Sequence, residues 1–244
     1  MIEWLAVLGI GVAAGTLGGV VGFGSSVIMV PILAFVFGPK AAIPIMAIAS
    51  LMANLSRVAI WWRTVDWRAV AAYSVTAIPA AALGARTLLA LDAGVVELAL
   101  GVFLVATVPA RRVLGRRGFR VTRPQLAIVG AVIGFLTGIV ASTGPVNAPF
   151  FLAYGLVKGA YLSTEAMSSA FVYLTKSAVF LEGGALPTET LVRGLIVGSA
   201  LMLGSWLAKR LVERMSPGDF RFVMDVLLLV AGTWMIVQGL GEHA

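Results

Sequence analysis

The sequence predicts an all-α integral membrane protein, a polytopic bundle of two inverted-topology repeats with about 5+5 helical segments, the first pair of each repeat broken or re-entrant. Three observations carry this reading. Hydrophobic residues make up 60% of the 244 positions and charged ones 12%, at a mean hydropathy of +1.00, which leaves too little polar surface to coat a soluble globule. The apolar residues fall in runs of spanning or half-spanning length, separated by short basic gaps. The second half of the chain also echoes the first when slid along it without a gap, placing Gly15 on Gly134.

In chain order the apolar runs are 4–22, 24–37, 43–62, 69–90 and 95–110, then 125–141, 145–157, 163–181, 189–208 and 222–239. The start "MIEWLAV" lacks the basic opening and the small-residue cleavage site of a signal peptide, so the first run reads as transmembrane. Runs 24–37 and 145–157 are too short to cross the hydrocarbon core as helices. Between the fifth and sixth runs lies "RRVLGRRGFRVTR" (111–123), with six arginines and no acid. Together with "RTVDWR" (63–68) and the basic run 209–221, it is expected on the cytoplasmic face. Walking outward from these points puts the gaps near 38–42, 91–94 and 182–188 outside.

That walk makes 125–157 start and finish on one side, as a there-and-back pair. If 4–37 does the same from the other side, each half has five segments in opposite orientation. The register supports duplication: Gly15, Leu17, Gly19 and Val21 fall on Gly134, Leu136, Gly138 and Val140, and it continues through Ser50 on Ser169, Leu55 on Leu174 and Arg57 on Lys176. The chain thus divides into a first repeat (1–110), a basic cytoplasmic linker (111–123) and a second repeat (124–244).

Residue types narrow the function. There is no cysteine, and the one histidine is His243, so disulfides, iron–sulfur ligation and histidine-held metals or haem are not expected, and no cofactor is. An enzyme would need a nucleophile beside a base, or metal ligands, which this chain does not offer. The net charge of +7 sits in the gaps and marks topology, not nucleic-acid binding.

"GTLGGVVGFGSSVIMVP" (15–31) places a glycine and serine cluster inside a membrane segment. Non-helical backbone at that depth is tolerated only where protein buries it or it lines a watery cavity. Breaks at Gly22–Ser26 and Ser142–Pro145 therefore predict two half-helices whose N-termini bind an anion through backbone N–H groups and the positive dipole end. Gly22, Gly24, Ser25, Ser26, Ser142, Thr143, Gly144 and Asn147 are the candidates there. Gly15, Gly19, Gly134 and Gly138 read instead as close helix packing.

Arg57 and Lys176 are charges inside apolar helices, which cost about 2.5–3.5 kcal/mol each at mid-bilayer and so call for a use. They would complement the anion, or else snorkel to the interface. Asn54, Tyr173 and Thr175 lie about a turn from them. Glu97 and Asp225 are the acids weighed for proton coupling, Arg193 is a surface anchor, and Trp4, Trp61, Trp62, Trp67 and Trp206 are interface residues.

The G-x-G break with small residues and "VP" after it (Gly22, Gly24, Ser25, Ser26, Val30, Pro31), its degenerate copy "IVASTGPVNAP" (139–149), and "NLSRVAIWWRTVDWR" (54–68) resemble the TauE/SafE family over nearly the whole chain. Serines at 25 and 26 depart from the commoner G-x-G-G-G pattern. The resemblance implies transport of small sulfur oxyanions and organosulfonates, such as sulfite, sulfoacetate or taurine-derived products. The leading expectation is a multi-pass transporter in the cell (inner) membrane, working by alternating access around a midplane anion site. Its partners are a small anionic substrate and the lipid bilayer, with no nucleic acid, and a homo-oligomer is left open. An anion channel, or a membrane assembly partner without active transport, is the alternative.

Overall fold

Glycine and proline punctuate the first half of the bundle. Helix α1 (Ile2–Val21) stops where Gly22 and Gly24 take φ of 85° and 103°, a left-handed region that side chains with a Cβ avoid. Helix α2 (Ser25–Phe37) follows at once and ends at Gly38, φ 86°, and Pro39 then opens α3 (Pro39–Trp61). A short 3₁₀ turn (Trp62–Thr64) leads to α4 (Trp67–Ala90), whose start is capped by the Asp66 carboxylate, 3.0 Å from the N–H groups of both Arg68 and Ala69. A capping box of Thr122 and Gln125 begins α5 (Arg123–Ile139). Then come α6 (Gly144–Ala153), α7 (Lys158–Glu182) and α8 (Thr188–Arg214). This computed structural model describes residues 2–90, 120–140 and 143–220, together with 222, 223 and 226. Among the described residues all regular structure is helical.

Each described helix matches one expected run, with two shifts. Helix α7 begins at Lys158, ahead of the run at 163, and α8 continues to Arg214, so Lys209, Arg210 and Arg214 ride on a helix and not in a loop. Run 95–110, most of run 222–239, Glu97, Asp225, and 111–119 of the basic linker lie outside the described residues. Helices α1, α3, α4 and α8 are long and apolar enough to span a bilayer. Helix α7, 25 residues long, matches them in length but carries Glu165 and Lys176, and it buries both between α3 and α4. With 13 and 10 residues, α2 and α6 reach only about 20 and 15 Å, short of a hydrocarbon core of about 30 Å.

Contacts sort the helix ends into two groups. At one end Val121 N–H donates to the Ala153 carbonyl (3.1 Å), Arg123 to the Tyr154 hydroxyl (3.2 Å), Asp66 N–H to Thr164 (2.9 Å) and Lys158 to the Met215 carbonyl (2.6 Å). At the other end the Trp4 and Phe37 rings pack at 5.1 Å, Arg193 lies over Phe37, and Leu89 meets Gly183. The α5–α6 pair therefore enters and leaves at the first end, and the α1–α2 pair at the second.

Helix α1 packs on α8, and α4 on α5, through seams of small residues. A Cβ on Gly19 would come within 2.6 Å of that of Ala208, and one on Gly15 would overlap the Leu201 backbone. At the other seam, a Cβ on Gly134 would lie 2.5 Å from the Ala77 carbonyl oxygen and one on Gly138 2.6 Å from that of Ala81. Away from the seams, Phe35, Ile128, Leu174 and Leu203 point outward, the apolar surface that lipid covers.

Candidate functional site

The two backbone breaks meet. A Cβ on Gly144, at the start of α6, would stand 2.5 Å from the Cβ of Phe23 in the first break, so the close approach requires glycine. The first turns of both half-helices, Ser25 and Ser26 from α2 and Gly144 from α6, line one recess of about 390 Å³, open mouth included. Helices α3 and α7 supply its walls with Ser50, Asn54 and Arg57 facing Glu165, Ser169 and Tyr173. Helix N-termini carry backbone N–H groups without intrahelical acceptors and the positive end of the dipole, so this is an anion-favouring place. The Ser50 hydroxyl is buried and has no hydrogen-bond partner among the described residues.

Charge is held tightly around it. Arg57, 7% exposed, donates to the Gly22 carbonyl, to the Asn54 side-chain oxygen and, at 3.3 Å, to Glu165 Oε2. Glu165, 3% exposed, accepts further bonds at Oε1 from the Ser169 hydroxyl (2.7 Å) and Asn147 Nδ2 (3.4 Å). Lys176 is wholly buried and donates to the carbonyls of Thr137 (2.8 Å) and Val140 (2.6 Å). Arg57 and Lys176 therefore play the same part, because each satisfies carbonyls left unpaired where α1 or α5 ends, at the negative pole of that helix. Neither snorkels. Tyr161 adds to the first cap by donating to the Val21 carbonyl at 3.1 Å, and the Thr137 and Thr143 hydroxyls bond across the second break.

The match to known families is extensive. The model of the family described as "Sulfite exporter TauE/SafE" covers residues 7–235. The chain belongs to the TauE/SafE family. Membership places it among multi-pass membrane transporters, a family of sulfite and related sulfur-anion exporters and not of enzymes. Among curated proteins and among solved structures, none matches the chain.

Of the TauE/SafE residues singled out from sequence, Gly22, Ser25, Ser26, Asn54, Arg57, Thr143, Gly144 and Tyr173 line the recess. Gly24 is the N-cap of α2 just behind it. Asn147 sits one helical turn into α6 and reaches Glu165, its own side-chain oxygen unpartnered among the described residues. Ser142 lies outside the described residues. Lys176 does not line the recess; it sits behind the second break. Thr175 bonds its own helix at Phe171, and Arg193 pairs with Glu189 at the helix end.

Four polar recess residues escaped sequence reasoning: Glu165, Ser50, Ser169 and Thr137. Ser50 and Ser169 were visible as a matched pair in the repeat register, whereas Thr137 falls on Gly18. Glu165 faces Met46 in that register, and a lone carboxylate without a counterpart was the signal to follow.

Proposed function

We propose that this TauE/SafE protein moves a small sulfur oxyanion or organosulfonate, with sulfite as the first candidate, out across the cell (inner) membrane by alternating access around the recess. The observation that carries the reading is the convergence of two half-helix N-termini, the Arg57 guanidinium and serine hydroxyls on one buried point. A tetrahedral or pyramidal oxyanion there takes N–H groups from α2 and α6, hydroxyl donors from Ser25, Ser26, Ser50 and Thr143, and the planar fork of Arg57, which suits two oxygens at once. Asn54 and Tyr173 orient the ligand, Gly22 and Gly24 let it approach the backbone, and Ser142 extends the donor set. Asn147 and Lys176 hold the second break in shape from behind.

Residues 1–110 and 124–244 act as two inverted repeats that rock against each other, with the basic segments, 111–123 among them, in the cytoplasm. The opposed α1–α2 and α5–α6 hairpins and the two alike glycine seams support this reading. The test is a thermal-shift titration of purified protein with sulfite, sulfate, thiosulfate, sulfoacetate, taurine, formate and acetate. A ligand at a hundredfold excess over its Kd adds about 2.7 kcal/mol. One sulfur anion should stabilise the protein, and Arg57→Gln should lose the effect. A flat response to every anion would sink the reading.

A further inference from the structure

We infer that Glu165 is the coupling group of this site: its carboxylate holds the substrate's place on Arg57 when no anion is bound, and accepts a proton when an anion displaces it. The inference rests on the anion-site reading above. Glu165 is a membrane-depth carboxylate, 3% exposed, facing the same recess as the two half-helix starts. Its Oε2 is 3.3 Å from Arg57 Nη1, while Oε1 takes the Ser169 hydroxyl and, more distantly, Asn147. In the state described here, the guanidinium that would grip a substrate is already engaged by an anion of the protein itself.

The charge balance forces the consequence. Arg57 and Glu165 sum to zero, and nothing else described nearby changes that sum. Helices α2 and α6 contain no charged residue, the one charge on α5 is Arg123 at its far end, bonded to Tyr154, and Lys176 is committed to the carbonyls of Thr137 and Val140. The titratable groups facing Glu165 are Arg57 from α3, Tyr73 from α4, and Tyr161 and Tyr173 on its own helix. A monoanion arriving on Arg57 would leave two negative charges against one positive charge in a desolvated place. Like charges so close cannot both stay ionised.

The carboxylate cannot retreat to water, because it sits in the interior of α7 and is tied to Ser169 one turn on. It therefore takes one proton from the aqueous phase, onto the Oε2 that Arg57 has released. The proton leaves when the anion departs and the Arg57–Glu165 pair closes again. Carrying a monoanion with one proton moves no net charge, so the anion's gradient and the pH difference set the direction of flux. The reset pair, itself neutral, lets the empty carrier return.

The test measures anion affinity against pH in detergent, with methanesulfonate, a monoanion throughout the range, with thiosulfate, a dianion throughout it, and with sulfite, whose own ionisation subtracts out between variants. In the protein as it stands, affinity should fall by up to about tenfold per pH unit, with uptake of up to about one proton per anion, across the window between the pH at which the Arg57-paired carboxylate ionises and the higher pH at which the displaced carboxylate ionises with the anion bound. Glu165→Gln removes the internal competitor, so it should bind the anion more tightly at neutral pH and lose the pH dependence. Affinity independent of pH in the unmodified protein, or pH dependence that survives in Glu165→Gln, overturns the inference while leaving the anion site standing. If Glu165→Gln does not fold, the slope in the unmodified protein decides alone. Absence of binding by any of the three anions at any pH removes the anion site and the coupling with it.

Discussion

Arg57 and Lys176 occupy matching positions in the repeat register, and their hydrogen bonds divide the labour between them. Both cap a broken helix, but only Arg57 also lines the recess. Replacing Lys176 with methionine, similar in length and uncharged, strands the Thr137 and Val140 carbonyls. Losing a buried partner costs about 1–3 kcal/mol. We expect Lys176→Met to lower the melting temperature while keeping an anion-induced shift, the reverse of Arg57→Gln, which should lose the shift. A Lys176→Met protein that is stable but blind to anions would move Lys176 into the binding set. Both cations were legible in the sequence because charge inside an apolar run stands out. Glu165 was not, for a physical reason: hydropathy starts its run at 163, which puts the acid at a helix end, whereas α7 begins at Lys158 and carries it two turns inward. Ser50 and Ser169 were equally quiet, since a hydroxyl on a membrane helix usually bonds its own backbone, as Ser168 does to Thr164.

At the scale of elements, the break between α1 and α2 can be read quantitatively through two glycines. Gly22 has φ 85°, and a Cβ there would lie 2.9 Å from the Tyr161 hydroxyl and 3.2 Å from Arg57 Nη1. Gly22→Ala combines backbone strain of order 1–3 kcal/mol with a push on the two side chains that cap α1. It should destabilise the protein and weaken anion binding together, measured as melting temperature and anion-induced shift. Gly9, on exposed α1 surface with nothing within 4 Å of a Cβ, is the control. Gly9→Ala should be neutral or add up to about 1 kcal/mol, the helix propensity difference. Equal losses at both positions would mean that glycine content, not the break, is what α1 requires. The positions of the breaks, and the fact that α2 and α6 stop short of a full span, followed from composition and length. That the breaks touch at Phe23 and Gly144 did not, because contact between segments more than a hundred residues apart leaves no mark on local pattern.

For the whole molecule, the grouping of the helix ends into two sets was legible and the identity of helix neighbours was not. Counting basic gaps orders the loops because short loops alternate across a bilayer. A small-residue stripe, by contrast, says that something packs closely and not what, so the α1–α8 and α4–α5 seams had to be seen. The hairpin geometry makes a sharp topological prediction. Arg63, Arg120 and Gly155 are exposed at one end of the bundle and Glu182 at the other. The chain contains no cysteine, so single cysteines at these four positions report without background. With a membrane-impermeant maleimide on intact cells, Glu182→Cys should label, while Arg63→Cys, Arg120→Cys and Gly155→Cys should label only after the membrane is opened. Gly155 is the discriminating site, because it follows α6 directly. If it labels alongside Glu182, then the α5–α6 pair crosses the membrane instead of returning, both ends of α7 lie on the outer face, and the opposed hairpins that bring two half-helix N-termini to one point lose their basis. Label at Gly155 that tracks Arg63 and Arg120 keeps α6 re-entrant and leaves its N-terminus inside the bilayer, where a dissolved anion reaches it only if the protein opens a path.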